Sequence, residues 1–187
     1  MMKEVIIDLN KEKLVHCTPP HAPVFVTTIN FDGSYNIGTF EQFMNISNFP
    51  PRILLGITSE SMTFKNIKRG SDFSIGIPSV NLIEQLTICG KSYAEKINKF
   101  DLSNFTKRKA KFIQVPHIVE CSINIECILN KEYNVGDHHI IIGDVLNASM
   151  QENIYDKDKI KRRANIQAPY HISSNQFKTL SLSYLGE

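Results

Sequence analysis

The stretch ECSINIECILNKEYNVGDHHIIIGDVLNASM, Glu120 to Met150, decides the fold. Its first part alternates Cys121, Ile123, Ile125 and Cys127 with Ser122, Asn124 and Glu126, the period-two pattern of a strand with one buried face and one wet face. The chain turns through Tyr133 to Asp137 and enters HHIIIGDVLNASM, a second apolar strand in which Gly143 leaves room for something packed closely. Together the two arms predict a long antiparallel hairpin. Adjacent strand residues point to opposite faces, so His138 and His139 cannot easily reach one metal ion.

Upstream, PVFVTTINF is β-branched and aromatic, and Asp32-Gly33 follows as a turn signal before YNIGTF, which predicts another hairpin. PPRILLGIT is a short apolar strand with its entry set by two prolines, and SMTFKNIKRG predicts a short helix closed by Gly70. DFSIGIP predicts a strand, and NLIEQLTICG and SYAEKINKF both carry helical spacing. Beyond Met150 the chain is polar, with DKDKIKRRANI, before it ends in QAPYHISSNQFKTLSLSYLGE. Many short strands, a few small helices and hairpin connections argue for a closed antiparallel barrel. No GxGxxG or Walker pattern is present, so a nucleotide must be held in some other way.

Composition narrows the function. The 187 residues suffice for one core and show no linker, which predicts a single domain over residues 1–187. With 21 basic and 19 acidic residues the net charge is +2, too small a field to hold nucleic acid or an anionic membrane. The basic cluster KRKAKF, Lys107 to Phe112, lacks interleaved aromatics and reads as a solvated loop or strand edge. No apolar run reaches membrane-spanning length, and the N-terminus has no secretion signal. Cys17, Cys89, Cys121 and Cys127 form no CxxC pair, which suits reduced thiols in the cytoplasm. No metal-ligand spacing and no GxSxG, HExxH or Cys-His signature occurs.

One constellation carries chemistry. YNIGTFEQFMNISNFPP sets Asn36, Thr39, Gln42 and Asn45 around Phe40 and Phe43, neutral hydrogen-bonding groups with stacking surfaces, as a flat heterocycle requires. Thr58, Ser59, Ser61 and Thr63 crowd the start of the helix FKNIKRG. Hydroxyls and free amides there form either a site for one phosphate or an ordinary N-cap, and Glu60 in the same loop opposes an anion.

These segments, in this order, resemble the flavin reductase-like proteins of the FMN-binding split barrel, including the flavoredoxin type. The resemblance covers roughly Pro23 to Leu180 and rests on PVFVTTINFDGSYNIGTF, PPRILLGIT with SMTFKNIK, DFSIGIP, NKF at Asn98 to Phe100, GDHHIIIGDV and the closing PYHISSNQFKTL. It implies a mainly β fold, a six-stranded antiparallel split barrel with a few short helices, paired as a homodimer with FMN near the subunit interface. Asn36, Thr39 and Phe40 would approach the flavin, with Gln42 and Phe43 just beyond. Thr58, Ser61 and Thr63 would serve the ribityl chain and phosphate, and Lys99 would add positive charge. His138 would face the flavin as a catalytic contact, against the plainer reading of a histidine capping the barrel end, and Tyr170 and His171 would cover the ring. TFEQF departs from the family's usual pattern. The implied activity is an NAD(P)H-dependent flavin reductase, which needs orientation more than acid-base machinery. A non-enzymatic FMN-binding electron carrier serving an acceptor protein is the alternative, and a barrel for another planar ligand such as haem stands behind it.

Overall fold

In the computed structural model, which describes residues 5–11, 13–93, 97–173 and 175–179, strands dominate. The order is β1 (Val24–Ile29), β2 (Tyr35–Phe40), β3 (Phe43–Asn48), β4 (Pro51–Thr58), α1 (Met62–Gly70), β5 (Asp72–Ile77), α2 (Ile83–Gly90) and α3 (Lys99–Leu102). There follow β6 (Lys107–Arg108), β7 (His117–Ile118), β8 (Ile123–Val135), β9 (His138–Met150), α4 (Lys159–Asn165), β10 (Pro169–Ser173) and β11 (Gln176–Thr179). The predicted helix over SYAEKINKF is not found as such. Ser92, Tyr93, Ile97 and Asn98 are non-helical, residues 94–96 lie outside the described residues, and α3 starts only at Lys99, capped by Asn98. α1 begins and ends as expected, except that Ser71, beyond Gly70, takes the left-handed position at φ 64 and donates its amide to Ile67.

Seven hydrogen-bonded strands form the main sheet in the order β2-β1-β5-β8-β9-β4-β3, with every pairing antiparallel. Its two edges, β2 and β3, are separated in the chain only by Glu41 and Gln42, and the Gly56 amide of β4 donates to the Gln42 carbonyl at 2.8 Å. One bent segment therefore supplies both edges, and the sheet curls into a barrel of six chain segments. The six strands expected and the seven observed differ only by that bend.

The hairpin at Glu120 to Met150 is its spine. β8 and β9 pair along their lengths across the two-residue connection Gly136-Asp137, where Gly136 has φ 61, a positive value at the first turn position that glycine takes without strain. β9 continues the sheet through β4, pairing His138 with Thr58 and Gly143 with Ile53. A Cβ at Gly143 would stand 2.6 Å from Phe73 Cζ, so the glycine makes room for that buried ring.

Two apolar clusters explain the run VFVTT. Val24 and Val26 join Ile53, Leu55, Ile57, Phe73, Ile75 and Ile141 inside the barrel, whereas Phe25 packs outward with Ile37, Leu86, Phe100 and Phe105 beneath α2 and α3. β1 is covered on both faces, hence its continuous apolar sequence.

The expected wet face of β8 is a correction. Ser122, Asn124 and Glu126 are buried, with Glu126 at 0% exposure, and are less accessible than Ile123 and Ile125. The chain from Lys109 to Ile118 covers them. Asn124 accepts from the Ile118 amide at 3.0 Å and donates to the Ile118 carbonyl at 2.9 Å. Glu126 accepts from the amides of Lys111 at 3.0 Å and Phe112 at 2.7 Å and from Asn147 at 2.9 Å, with His117 Nε2 3.2 Å away. Loop backbone needs hydrogen-bond partners as much as side chains do, so an alternating polar face satisfies a covering loop as well as it satisfies water. Register shifts after Glu126 and Leu129 also break the alternation, placing Cys121 and Cys127 in different clusters.

The KRKAKF cluster is an exposed strand edge at β6, apart from buried Ala110. No helix among the described residues is long and apolar enough to cross a membrane.

Candidate functional site

A cleft of about 2080 Å³ opens between β2, the start of α1, the end of α2 and the tip of the β8–β9 hairpin. Asn36, Thr39, Phe40, Gln42, Thr58, Ser61, Thr63, Lys99 and His138 all line it. Segments far apart in sequence thus meet where the first hairpin and the diproline strand flank α1.

The floor is a network of neutral amides and hydroxyls. Asn36 Nδ2 donates to Thr63 Oγ1 at 2.9 Å and lies 3.2 Å from Thr28 Oγ1, and Asn66 Nδ2 donates to Thr28 Oγ1 at 3.1 Å and to Asn30 Oδ1 at 2.8 Å. Thr63, Asn66 and Thr28 are each buried, so these bonds stand in for water and set the floor's shape. Thr39 spends its hydroxyl proton on the Leu86 carbonyl at 2.8 Å, which leaves its oxygen as an acceptor only. Gly38 lets Phe40 and Thr63 close in, because a Cβ there would stand 2.6 Å from Phe40 Cε2. At Gly56 a Cβ would collide with the Gln42 side chain, which folds over that glycine.

At the phosphate-like end Ser61 is the N-cap of α1, accepting from the Phe64 amide at 3.3 Å. Ser61 thus caps the helix through its oxygen, a role that does not use its hydroxyl proton. The Met62 and Thr63 amides, first in the helix, have no acceptor within it and form the positive end of its dipole. Thr58 lies at the strand end just before, and Lys65 lines the cleft one residue beyond the first turn. Lys99 Nζ donates to the Cys89 carbonyl at 2.9 Å and sits 5.6 Å from the Tyr93 ring centroid. Burial holds its ammonium below the ordinary lysine value, which an incoming anion would reverse.

The two histidines part as their alternation requires. His138 lines the cleft with Nδ1 2.7 Å from Asp137 Oδ1, and that hydrogen bond holds the Asp137 carboxyl below its usual range. With Nδ1 occupied, Nε2 is the atom free to meet a ligand. His139 turns the other way, stacked on Phe64 at 4.2 Å with Nδ1 2.7 Å from Glu132 Oε1.

Phe43 and His171 do not line this cleft. The bend at Glu41 and Gln42 swings β3 away, so Phe43 packs against the barrel core. His171 pairs with Glu41 and lies 5.1 Å from the Phe177 ring, pinning the C-terminal hairpin to the cleft rim. Asn45, Ser59 and Tyr170 also lie outside. Conversely, Asn66 and Arg69 of α1 and, from the N-terminal arm, Leu9, Asn10, Lys13, Leu14, Val15 and Thr18 line the cleft without having been foreseen. Asn66 carried a faint signal, a polar residue beside Ile67 on the helix face that packs inward; the arm carried none.

The donors present suit a planar ligand that bears a phosphate. Neutral amides and an aromatic ring line one wall, hydroxyls and the first helix amides lie at the start of α1, and half-buried Lys99 stands by the end of α2. Among the described residues no group of three or more metal-ligating side chains comes together.

Comparison with known proteins agrees with the barrel. Component B of nitrilotriacetate monooxygenase from Bacillus cereus superposes with a TM-score of 0.88 at 18% identity, covering 99% of this chain and 100% of that one. Flavoredoxin from Methanosarcina acetivorans gives 0.81 at 20% identity, covering 100% and 95%. NADH:FAD oxidoreductase SgcE6 from Streptomyces globisporus C-1027 gives 0.77 at 16% identity, covering 97% and 99%. The sequence itself matches the flavin reductase like domain over residues 18–173, from just ahead of β1 to the end of β10. That span includes the whole barrel and, apart from part of the N-terminal arm, the cleft, so the protein belongs to the flavin reductase like family, with the flavin-handling oxidoreductase role that membership supports.

Proposed function

We propose that the cleft binds FMN and that the protein is an NAD(P)H-dependent flavin reductase of the cytoplasm. One observation carries this reading: the Asn36, Thr39 and Phe40 wall, the Ser61–Thr63 helix start, Lys99 and His138 all line a single cleft. Thr58, Ser61, Thr63 and the first amides of α1 would hold a phosphate of about two negative charges, with Lys99 opposing it. Asn36 and Gln42 would hydrogen-bond the edge of a ring stacked near Phe40. When bound, a flavin supplies a ring nitrogen that accepts hydride from reduced nicotinamide stacked upon it. The protein's share is to orient the two rings and exclude water, with His138 Nε2, whose ring proton is on Nδ1, accepting a hydrogen bond beside them.

Fluorescence titration of the purified protein with FMN, beside riboflavin, tests the site. Saturation at micromolar FMN or below, about −8 kcal/mol, supports it, and no binding of either flavin sinks it. Anaerobic bleaching of the bound flavin by NADH or NADPH separates a reductase from an electron carrier that depends on another protein. His138→Ala should slow that bleaching about tenfold, the worth of one good hydrogen bond; unchanged bleaching and FMN affinity would remove the histidine from the site.

The reading extends to a homodimer. Ile53 and Leu55 point into the barrel, so Leu54 between them points out, in register with exposed Met44 on β3 and half-buried Ile142 on β9. Ile46, Phe49 and Leu146 are exposed close by. This apolar outer face suits a second copy of the chain. Light scattering on the eluted protein should return twice the 21.3 kDa chain mass, and Met44→Lys with Ile46→Lys should halve it.

A further inference from the structure

We propose that the cleft has a second subsite, at its rim between Phe31 and Arg69, which takes the adenylate half of a dinucleotide. The inference rests on the flavin reading of the cleft and specifies what else lies in it. At about 2080 Å³ the cleft is roughly twice the upper size of an ordinary ligand pocket, so one mononucleotide leaves space over. α1 defines the direction of that space. Thr63 and the helix start sit at one end, and Lys65 and then Arg69 follow along the helix, both lining the same cleft.

Phe31 stands where that track ends. It lies in the β1–β2 turn at 90% exposure, lines the cleft, and its ring centroid is 5.6 Å from the Arg69 guanidinium. Arg69 Nη2 donates to the Ile29 carbonyl at 2.6 Å, which fixes the guanidinium beside the ring and leaves further N–H groups for a phosphate. Asp32 is the acidic neighbour. Its Oδ1 accepts from the Ser34 amide at 3.0 Å and the Ser34 hydroxyl at 2.6 Å, bonds that keep the carboxylate ionised near Arg69 within a turn that presents Phe31 outward. An exposed aromatic face held next to an anchored arginine, one helix length from a phosphate site, is the pairing a purine nucleotide needs: stacking for the base and a cation for its phosphate. The adenylate belongs to a flavin dinucleotide or to the nicotinamide dinucleotide, and binding measurements distinguish them.

The full-length protein is titrated with AMP, FMN and FAD, and the KM for NADH is measured, in wild type and in Phe31→Leu, Phe31→Tyr and Arg69→Gln. Phe31 is too exposed for its replacement to unfold the barrel. AMP should bind wild type, weaken about tenfold in Phe31→Leu and Arg69→Gln, and recover in Phe31→Tyr, with FMN affinity unchanged throughout. If FAD binds wild type more tightly than FMN and loses the margin in Phe31→Leu, the adenylate is that of FAD. If FAD and FMN bind alike while the KM for NADH rises in Phe31→Leu, it is that of the nicotinamide dinucleotide. AMP that does not bind, or binds Phe31→Leu as well as wild type, overturns the subsite. Failure of wild type to bind FMN would instead defeat the flavin reading and leave the AMP result standing by itself.

Discussion

Asn36 Nδ2 donates to Thr63 Oγ1 at 2.9 Å, and that bond joins β2 to the first turn of α1 across the floor of the cleft. Its acceptor is only 2% exposed, so no water replaces it. Thr63→Val keeps the shape and removes the oxygen, leaving part of the Asn36 amide without its partner. Urea unfolding should show a loss of about 1–3 kcal/mol, and FMN should bind more weakly. Thr63→Ser should recover most of both; if valine costs nothing in either assay, the bond does not organise the floor.

Lys99 reaches the cleft from α3 with its ammonium partly desolvated and bonded to the Cys89 carbonyl. Lys99→Met preserves the stem and removes the charge. FMN affinity should fall about tenfold or more, the range of a hydrogen bond to a charged group, while riboflavin, which lacks the phosphate, should change little. Equal losses for the two ligands would place the ammonium away from the phosphate.

Gly143 is a packing requirement. With Phe73 Cζ 2.6 Å from where a Cβ would lie and Ile53 Cδ1 at 3.2 Å, Gly143→Ala must displace core side chains, at a cost of about 1–3 kcal/mol in chemical denaturation. Adding Phe73→Leu should make the alanine cheaper than it is in the wild-type background. Strict additivity of the two substitutions would show that the ring is not what the glycine accommodates.

The buried pair beneath the Lys109–Ile118 loop makes stability depend on pH. Burial holds His117 below its ordinary 6.5, outweighing the attraction of Glu126, with Arg108 pushing the same way as burial. Burial pushes Glu126 up, but the Lys111 amide, Asn147, the Phe112 amide and His117 together bring it below its ordinary 4.5. A depressed histidine gives its full contribution above its unfolded value and loses it as pH falls towards its folded one. A depressed carboxyl does the same lower down. Unfolding free energy should therefore be level above about pH 7 and decline in two stages, first below 6.5 and again below 4.5. His117→Asn should remove the upper stage, and a wild-type profile flat from pH 7 to 5 would contradict the assignment.

Much of this protein was legible in its sequence because the relevant forces act over a few residues. Gly136-Asp137 and Asp32-Gly33 set the hairpins, Ser61 set the start of α1, and the alternation of His138 with His139 separated a cleft residue from one that stacks on Phe64. Local pattern misled where a distant segment intervened. The face of Ser122, Asn124 and Glu126 is wet by its own periodicity and dry because a loop brings its amides there. Phe43 looked like a neighbour of Phe40 until the bend at Glu41 and Gln42 turned β3 to the far edge of the sheet. The joining of Asn36 to Thr63, the track from Lys65 to Arg69 and the setting of Phe31 beside it rest on contacts between segments 27 or more residues apart or on the rotation of a helix about its axis. Spacing along a chain states which way a side chain points within its own element, and only the packed barrel states what it meets there.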